Sequence, residues 1–207
     1  NRSLEKDITD ASGDYRSGYA NVWDPSKNRE CNLKIGGVDG NTVEFWMKKT
    51  AFASSKTGRE VIFDATTSDF ISSSARYGRL TIEMTGTASG NPFLVTYMSG
   101  TSGVAATTFS DTTVTNAVIA DGKWHHYAFA FKNNGTSLDL KLYYDGRCVE
   151  TKTVGNSSVG YVSGNINSTI GSLITAPSGT QVPTKGWGKL SGSLDEFRFW
   201  KDERNSA

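Results

Sequence analysis

Chemistry needs side chains that carry charge, attack, or stack on a ligand, and few of the 207 residues stand in patterns that serve. Asp195, in Leu194-Asp195-Glu196-Phe197, falls in phase with Phe197 and Phe199. Strand alternation therefore puts its carboxylate on a core-facing register, where an unpaired charge is costly. It is expected to accept backbone N–H groups or to pair with an arginine, unless another partner satisfies it. His125 and His126 are adjacent and point to opposite faces of a strand, so they cannot share one metal. One packed and one exposed histidine is the expectation. No Ser/His/Asp order and no Gly-x-Ser-x-Gly elbow is present. Asp64 and Glu83 stand alone on their strands, Asp195 and Glu196 are neighbours on opposite faces, and Asp139 with Lys141 reads as a solvated face.

These residues sit in short segments rich in Thr, Val, Tyr, Phe and Trp, separated by Gly, Ser, Asn and Asp, the pattern of strands and turns. Val43, Phe45 and Met47 alternate with Glu44, Trp46 and Lys48. Residues 60–64, 79–84 and 93–98 read as further strands. Trp124–Lys132 places Tyr127, Phe129 and Phe131 on one face, and Leu138, Leu140, Leu142 and Tyr144 line another. Asp145-Gly146 suits a type I′ hairpin turn. Trp124 is expected to anchor a corner of the core. Residues 99–115 read as an irregular connection or weak edge strands, 168–172 as a short strand, 175–191 as a loop, and 192–201 as the last strand. No helix of substance is expected after residue 30. About a dozen short strands must close into a sandwich or barrel, because one open sheet would leave an apolar face wet.

Composition narrows the function classes. Lys and Arg number 22 against 21 Asp and Glu, a balance that excludes a strongly basic nucleic-acid binder. The longest apolar runs, such as Ala117–Ala120, fall far short of the roughly 20 residues that span a bilayer, so no membrane insertion is expected. Cys31 and Cys148 could form one bridge, but both are read as free, semi-buried thiols. Asn-x-Ser/Thr matches at Asn134, Asn156 and Asn167 occur about as often as chance predicts and carry no weight. Residues 1–30 look like a lead-in segment and residues 31–207 like one domain. The absent start and stop signals suggest a module of a longer protein.

Five blocks in order make the pattern specific: Val43–Lys48, Asp121–Tyr127, Leu142–Gly146, Ile170-Gly171 and Gly192–Trp200. The chain resembles the laminin G-like branch of the concanavalin A-like lectin/glucanase superfamily, over residues 43–204. The resemblance implies an all-β fold, a concanavalin A-like jelly-roll sandwich of two curved antiparallel sheets with first and last strands close together. It also implies a structural Ca2+ on Asp195, completed by backbone carbonyls of the N-terminal region. Glucanases of this superfamily carry alternating carboxylates on one strand, which this chain lacks, so hydrolysis is not expected.

A non-catalytic module binding carbohydrate or a glycoconjugate is therefore the leading expectation, in an extracellular, cell-surface or virion-surface protein. Sugars present apolar C–H faces and hydroxyls, so a site needs an aromatic ring and hydrogen-bonding side chains. Trp187 is the first candidate platform, with Tyr161 and Tyr97 after it; a Trp187 ring folded over the sandwich edge is the competing reading. Asn91, Asn165 and Asn167 are candidate polar partners. The alternative is an assembly domain acting through protein partners, as in a phage tail or adhesin, with a glycoside hydrolase a distant third.

Overall fold

The computed structural model describes residues 33–52, 59–67, 76–163, 166–174 and 188–205. Its strands are β1 (Asn41–Lys48), β2 (Arg59–Thr67), β3 (Gly78–Thr85), β4 (Phe93–Ser99), β5 (Ser102–Thr108), β6 (Trp124–Asn134), β7 (Ser137–Tyr144), β8 (Arg147–Val154), β9 (Ile166–Ile170) and β10 (Ser193–Trp200). A single helical turn, α1 (Asn116–Ile119), is capped by the Thr115 hydroxyl, which accepts from Val118 N–H.

The strands form two five-stranded antiparallel sheets, ordered β10-β1-β6-β7-β8 and β5-β4-β3-β2-β9. The first and last strands pair, as the resemblance implied. Alternation makes the core: Val43, Phe45, Tyr127, Phe129, Phe131, Leu138, Leu140 and Leu142 point inward from the first sheet, each fully buried. From the second sheet Leu80, Ile82, Met84, Phe93, Val95 and Tyr97 meet them, also fully buried. Aromatic rings tie the layers together. Phe93 meets Phe129 edge-on at 4.9 Å between centroids, and Tyr97 stacks on Phe131 at 4.8 Å.

The local expectations hold where backbone geometry can test them. Asp145 (φ 44°) and Gly146 (φ 79°) both take the positive φ that a type I′ turn demands. The weak stretch 99–115 supplies β5, an edge strand with mostly exposed or half-buried residues.

Four expectations change. Tyr97 is fully buried, so it cannot serve as a ligand platform. Trp124 is 42% exposed at the start of β6 and does not anchor the core. Asp195 does not face the core. Between Glu44↔Arg198 and Trp46↔Asp195 the register shifts, so Glu196 and Phe197 together oppose Phe45 alone. Glu196 absorbs the extra residue with a left-handed backbone, φ 51°. The bulge inverts the alternation: Leu194 pairs with the core residue Met47, and Asp195 emerges, exposed, beside Trp46. Cys148 is a free, exposed thiol rather than a semi-buried one, and Cys31 lies outside the described residues.

Candidate functional site

The segment leading into β1 and the end of β10 meet over one end of the first sheet, and Asn41 holds them there. Its side chain is fully buried and bonded on every side. Oδ1 accepts Gly36 N–H at 3.2 Å and the Tyr97 hydroxyl at 2.8 Å. Nδ2 donates to the carbonyls of Lys34 at 2.7 Å and Trp200 at 3.1 Å. One amide thus joins the segment before β1, the end of β10 and the opposite sheet. Burial drives the Tyr97 pKa strongly upward, so its hydroxyl stays neutral and donating.

The segment from Leu33 to Gly40 is clamped at two glycines. A Cβ on Gly36 would lie 2.4 Å from the Tyr161 ring, and one on Gly37 would lie 2.2 Å from the Asn133 amide. Backbone bonds Gly37 N to Val159 O (3.1 Å) and Val162 N to Ile35 O (3.0 Å) complete the clamp. On the other side, residues after β10 cross Thr42, whose hydroxyl donates to Asp202 O at 3.0 Å and accepts Arg204 N–H at 2.8 Å.

Between these segments lies an open groove of about 670 Å³, lined in part by Lys34, Val38, Asp39, Lys132, Trp200 and Glu203. Its charged residues Lys34, Asp39, Lys132 and Glu203 are paired, whereas the buried Trp200 Nε1 has no partner among the described residues. Lys34 Nζ donates to Asp39 Oδ2 at 2.6 Å, and the Tyr161 hydroxyl donates to the same oxygen at 2.8 Å. The Lys34 ammonium also stands 4.4 Å from the centre of the Tyr161 ring. Across the groove Glu203 takes Lys141 at 2.7 Å and Lys132 at 3.5 Å. The Lys34 and Tyr161 hydrogen bonds hold the Asp39 carboxyl below its ordinary pKa, against a smaller opposing effect of burial. The Asp39 bond and burial raise the Tyr161 phenol. Charges of both signs, fixed in place beside a ring 44% exposed, suit a neutral, hydroxyl-rich ligand.

Of the candidates read from the sequence, Tyr161 reaches the margin of this groove through Asp39, and Tyr97 stands behind it as a support. Trp187 and Asn165 lie outside the described residues. Asn91 is buried, and its Oδ1 accepts Phe93 N–H at 3.1 Å. Asn167 lies exposed on β9, across the β2 pairing from Thr66. Asp39, Lys34 and Glu203 were not singled out beforehand. The glycine pair Gly36-Gly37 was the available signal for a close-packed loop.

Of the calcium ligands that the resemblance implied, Asp195 alone lies among the described residues. Its Oδ1 accepts Glu196 N–H at 2.8 Å, and no group of three or more His, Cys, Asp or Glu that could hold a metal occurs among the described residues. The N-terminal carbonyls invoked by the resemblance lie outside them.

Pairing of β2 with β3 does bring two of the isolated carboxylates onto one face. Asp64 sits opposite Thr81, and Glu83 follows two residues along β3. Asp64 is saturated: Arg79 Nε and Nη2 each donate at 3.1 Å, Thr81 Oγ1 at 2.9 Å and Ile174 N at 2.9 Å. It anchors the segment after β9 to the sheet. Burial raises the Glu83 pKa, and nearby Arg59 and Arg79 oppose that rise.

His125 and His126 do face opposite ways, and both are half-buried. His125 Nδ1 lies 2.8 Å from Asp145 Oδ2 and from the Tyr144 hydroxyl, and Nε2 lies 3.2 Å from Asp121 Oδ2. His126 sits on the outer face with its ring 5.4 Å from that of Trp46.

Two antiparallel sheets face to face, closed by the pairing of first and last strands, define a jelly-roll sandwich with a groove at its rim. The chain belongs to the Laminin_G_3 family of the concanavalin A-like lectin/glucanases superfamily, which matches residues 27–207. That superfamily includes both lectins and enzymes. No curated protein sequence matches the chain.

Solved structures similar to it include the native heptameric SAP-like pentraxin from Limulus polyphemus, at 13% identity and TM-score 0.43, covering 84% of this chain and 69% of that one. The alginate lyase Aly36B matches at 12% identity and TM-score 0.45, covering 82% and 70%. The potassium-bound carbohydrate recognition domain of Emp46p matches at 14% identity and TM-score 0.37, covering 64% and 63%.

Proposed function

We propose that this domain is a non-catalytic glycan-binding module of a larger extracellular, cell-surface or virion-surface protein, and that it holds carbohydrate in the rim groove. The observation that carries the reading is the Lys34–Asp39–Tyr161 constellation, a half-exposed ring bonded to a carboxylate that a lysine also holds. Sugar C–H faces stack on the ring while Asp39, Lys34 and Glu203 exchange hydrogen bonds with hydroxyls. The buried Asn41 network and the close packing at Gly36 and Gly37 hold these groups in place beforehand, which lowers the ordering cost of binding. Trp187 and Asn165, outside the described residues, stay candidates from the sequence and are given no part in this groove.

The non-catalytic part rests on Asp64, whose oxygens are all engaged in holding the sheet face. A glycan array tests the reading. The chain should retain a defined set of glycans, and Tyr161→Ala and Asp39→Asn should each lose it. Retention unchanged in both variants overturns the groove as the site.

An assembly role is the second reading, favoured by β5, an exposed edge strand whose outer backbone groups offer pairing to another chain. A stable oligomer in solution with no glycan retained would establish that reading instead.

A further inference from the structure

The outer face of the first sheet carries two exposed indoles far from any core duty. Trp46 is 41% exposed on β1 and Trp124 is 42% exposed on β6. In the β1–β6 register Trp46 pairs with His126, and Trp124 pairs with Lys48, two residues further along the same face. Two residues of strand correspond to about 7 Å. Such a spacing sets the rings side by side on a rigid support.

Polar groups frame Trp46. Asp195 pairs with it across β10, brought outward by the bulge at Glu196, and its Oδ2 has no partner among the described residues. Glu44 lies one step along the face, held by Arg198 at 3.1 Å and 3.9 Å from His126 Nε2. Arg198 is also bonded to Glu196. A bulge with a non-glycine residue in the left-handed region is costly, and here it places a carboxylate against an exposed ring instead of in the core.

We infer that this face is a second carbohydrate site, in which Trp46 and Trp124 stack on consecutive rings of a neutral oligosaccharide while Asp195, Glu44 and Arg198 meet its hydroxyls. Neutrality follows from the frame: three carboxylates (Glu44, Asp195, Glu196) outnumber the two cations Arg198 and Lys48, an excess of negative charge that disfavours sulfated or uronic-acid chains. A protein partner is disfavoured because the two rings are surrounded by the charged side chains of Lys48, Glu44, Asp195 and Arg198, whereas a stable protein interface needs about 800 Å² per side with an apolar centre. The site is independent of the rim groove.

The test uses the whole 15N-labelled chain, in which the assigned Trp46 and Trp124 indole N–H signals are read apart from that of Trp200, which lines the groove, and from the groove amides. The probes are cellohexaose, glucose and a heparin hexasaccharide. Cellohexaose should shift the Trp46 and Trp124 signals saturably, glucose much less, and the heparin fragment not at all. Trp46→Ala and Trp124→Ala should each weaken cellohexaose binding about tenfold, and Trp46→Phe should retain most of it. Unmoved Trp46 and Trp124 signals overturn the inference, whatever the groove does. So does a concentration-dependent dimer abolished by Trp46→Ala, which would make the face a self-contact.

Discussion

The Tyr97 hydroxyl, in the core of the second sheet, donates to Asn41 Oδ1 at 2.8 Å, at the start of the first. Through Asn41 that bond reaches Gly36, Lys34 and Trp200, so an interior tyrosine sets the shape of a surface groove. Removing the hydroxyl alone, in Tyr97→Phe, leaves Asn41 Oδ1 with Gly36 N–H and should cost about 1 kcal/mol. Asn41→Ala orphans partners in three segments and should cost about 3 kcal/mol or more. Urea unfolding of both variants checks the ranking; equal losses would remove Asn41 from its central place.

Gly36 offers a change to the groove that deletes none of its polar groups. Gly36→Ala drives a methyl into the Tyr161 ring and should displace it. Glycan retention should fall while the cooperative unfolding transition persists. Unchanged retention would mean that the placement of Tyr161 does not matter to binding.

His125 should make stability depend on pH. Burial lowers its pKa, but hydrogen bonds and charges from Asp145 and Asp121 outweigh that and raise it overall. A raised folded value means the stabilisation is complete below the unfolded histidine value of about 6.5 and is lost as pH rises through the folded one. Melting temperature should fall over that interval, and His125→Gln should flatten the slope there. An identical slope in the variant contradicts the assignment.

Lys49 and Glu60 form a buried pair, Nζ bonding both carboxylate oxygens at 2.9 and 2.7 Å and the Ser191 carbonyl at 2.6 Å. Lys49→Met removes a cation from beside a buried carboxylate and should destabilise by about 3–5 kcal/mol. The double variant Lys49→Met/Glu60→Leu should recover much of that loss, measured by denaturant unfolding. No recovery would show that Ser191, whose N–H Glu60 also accepts at 2.7 Å, matters more than the ion pair.

The two-sheet fold was legible because strand alternation is a local rule: Val43, Phe45, Met47, Tyr127, Phe129 and Phe131 face inward as their spacing demands. Asp195 shows where the rule stops. One residue absorbed at Glu196 reverses every side chain before it, and nothing in Leu194-Asp195-Glu196-Phe197 marks that position, since glutamate is not a residue favoured at positive φ. Tyr161 was legible as an exposed ring in a loop. Its partners Asp39 and Lys34 were not, because they lie over 120 residues away and meet it only through strand order. Trp46 was visible on the polar side of β1, between Glu44 and Lys48. Its use as a surface ring depends on Asp195 and Trp124, which pairing alone brings near.

The most direct test of the glycan-binding claim is an amide shift map of the labelled chain titrated with the best ligand from the array. The largest shifts are expected at Lys34, Val38, Asp39, Tyr161 and Glu203, saturating together and abolished in Asp39→Asn. Shifts confined to the β5 edge, or no saturable shift in the groove with any array ligand, would contradict it.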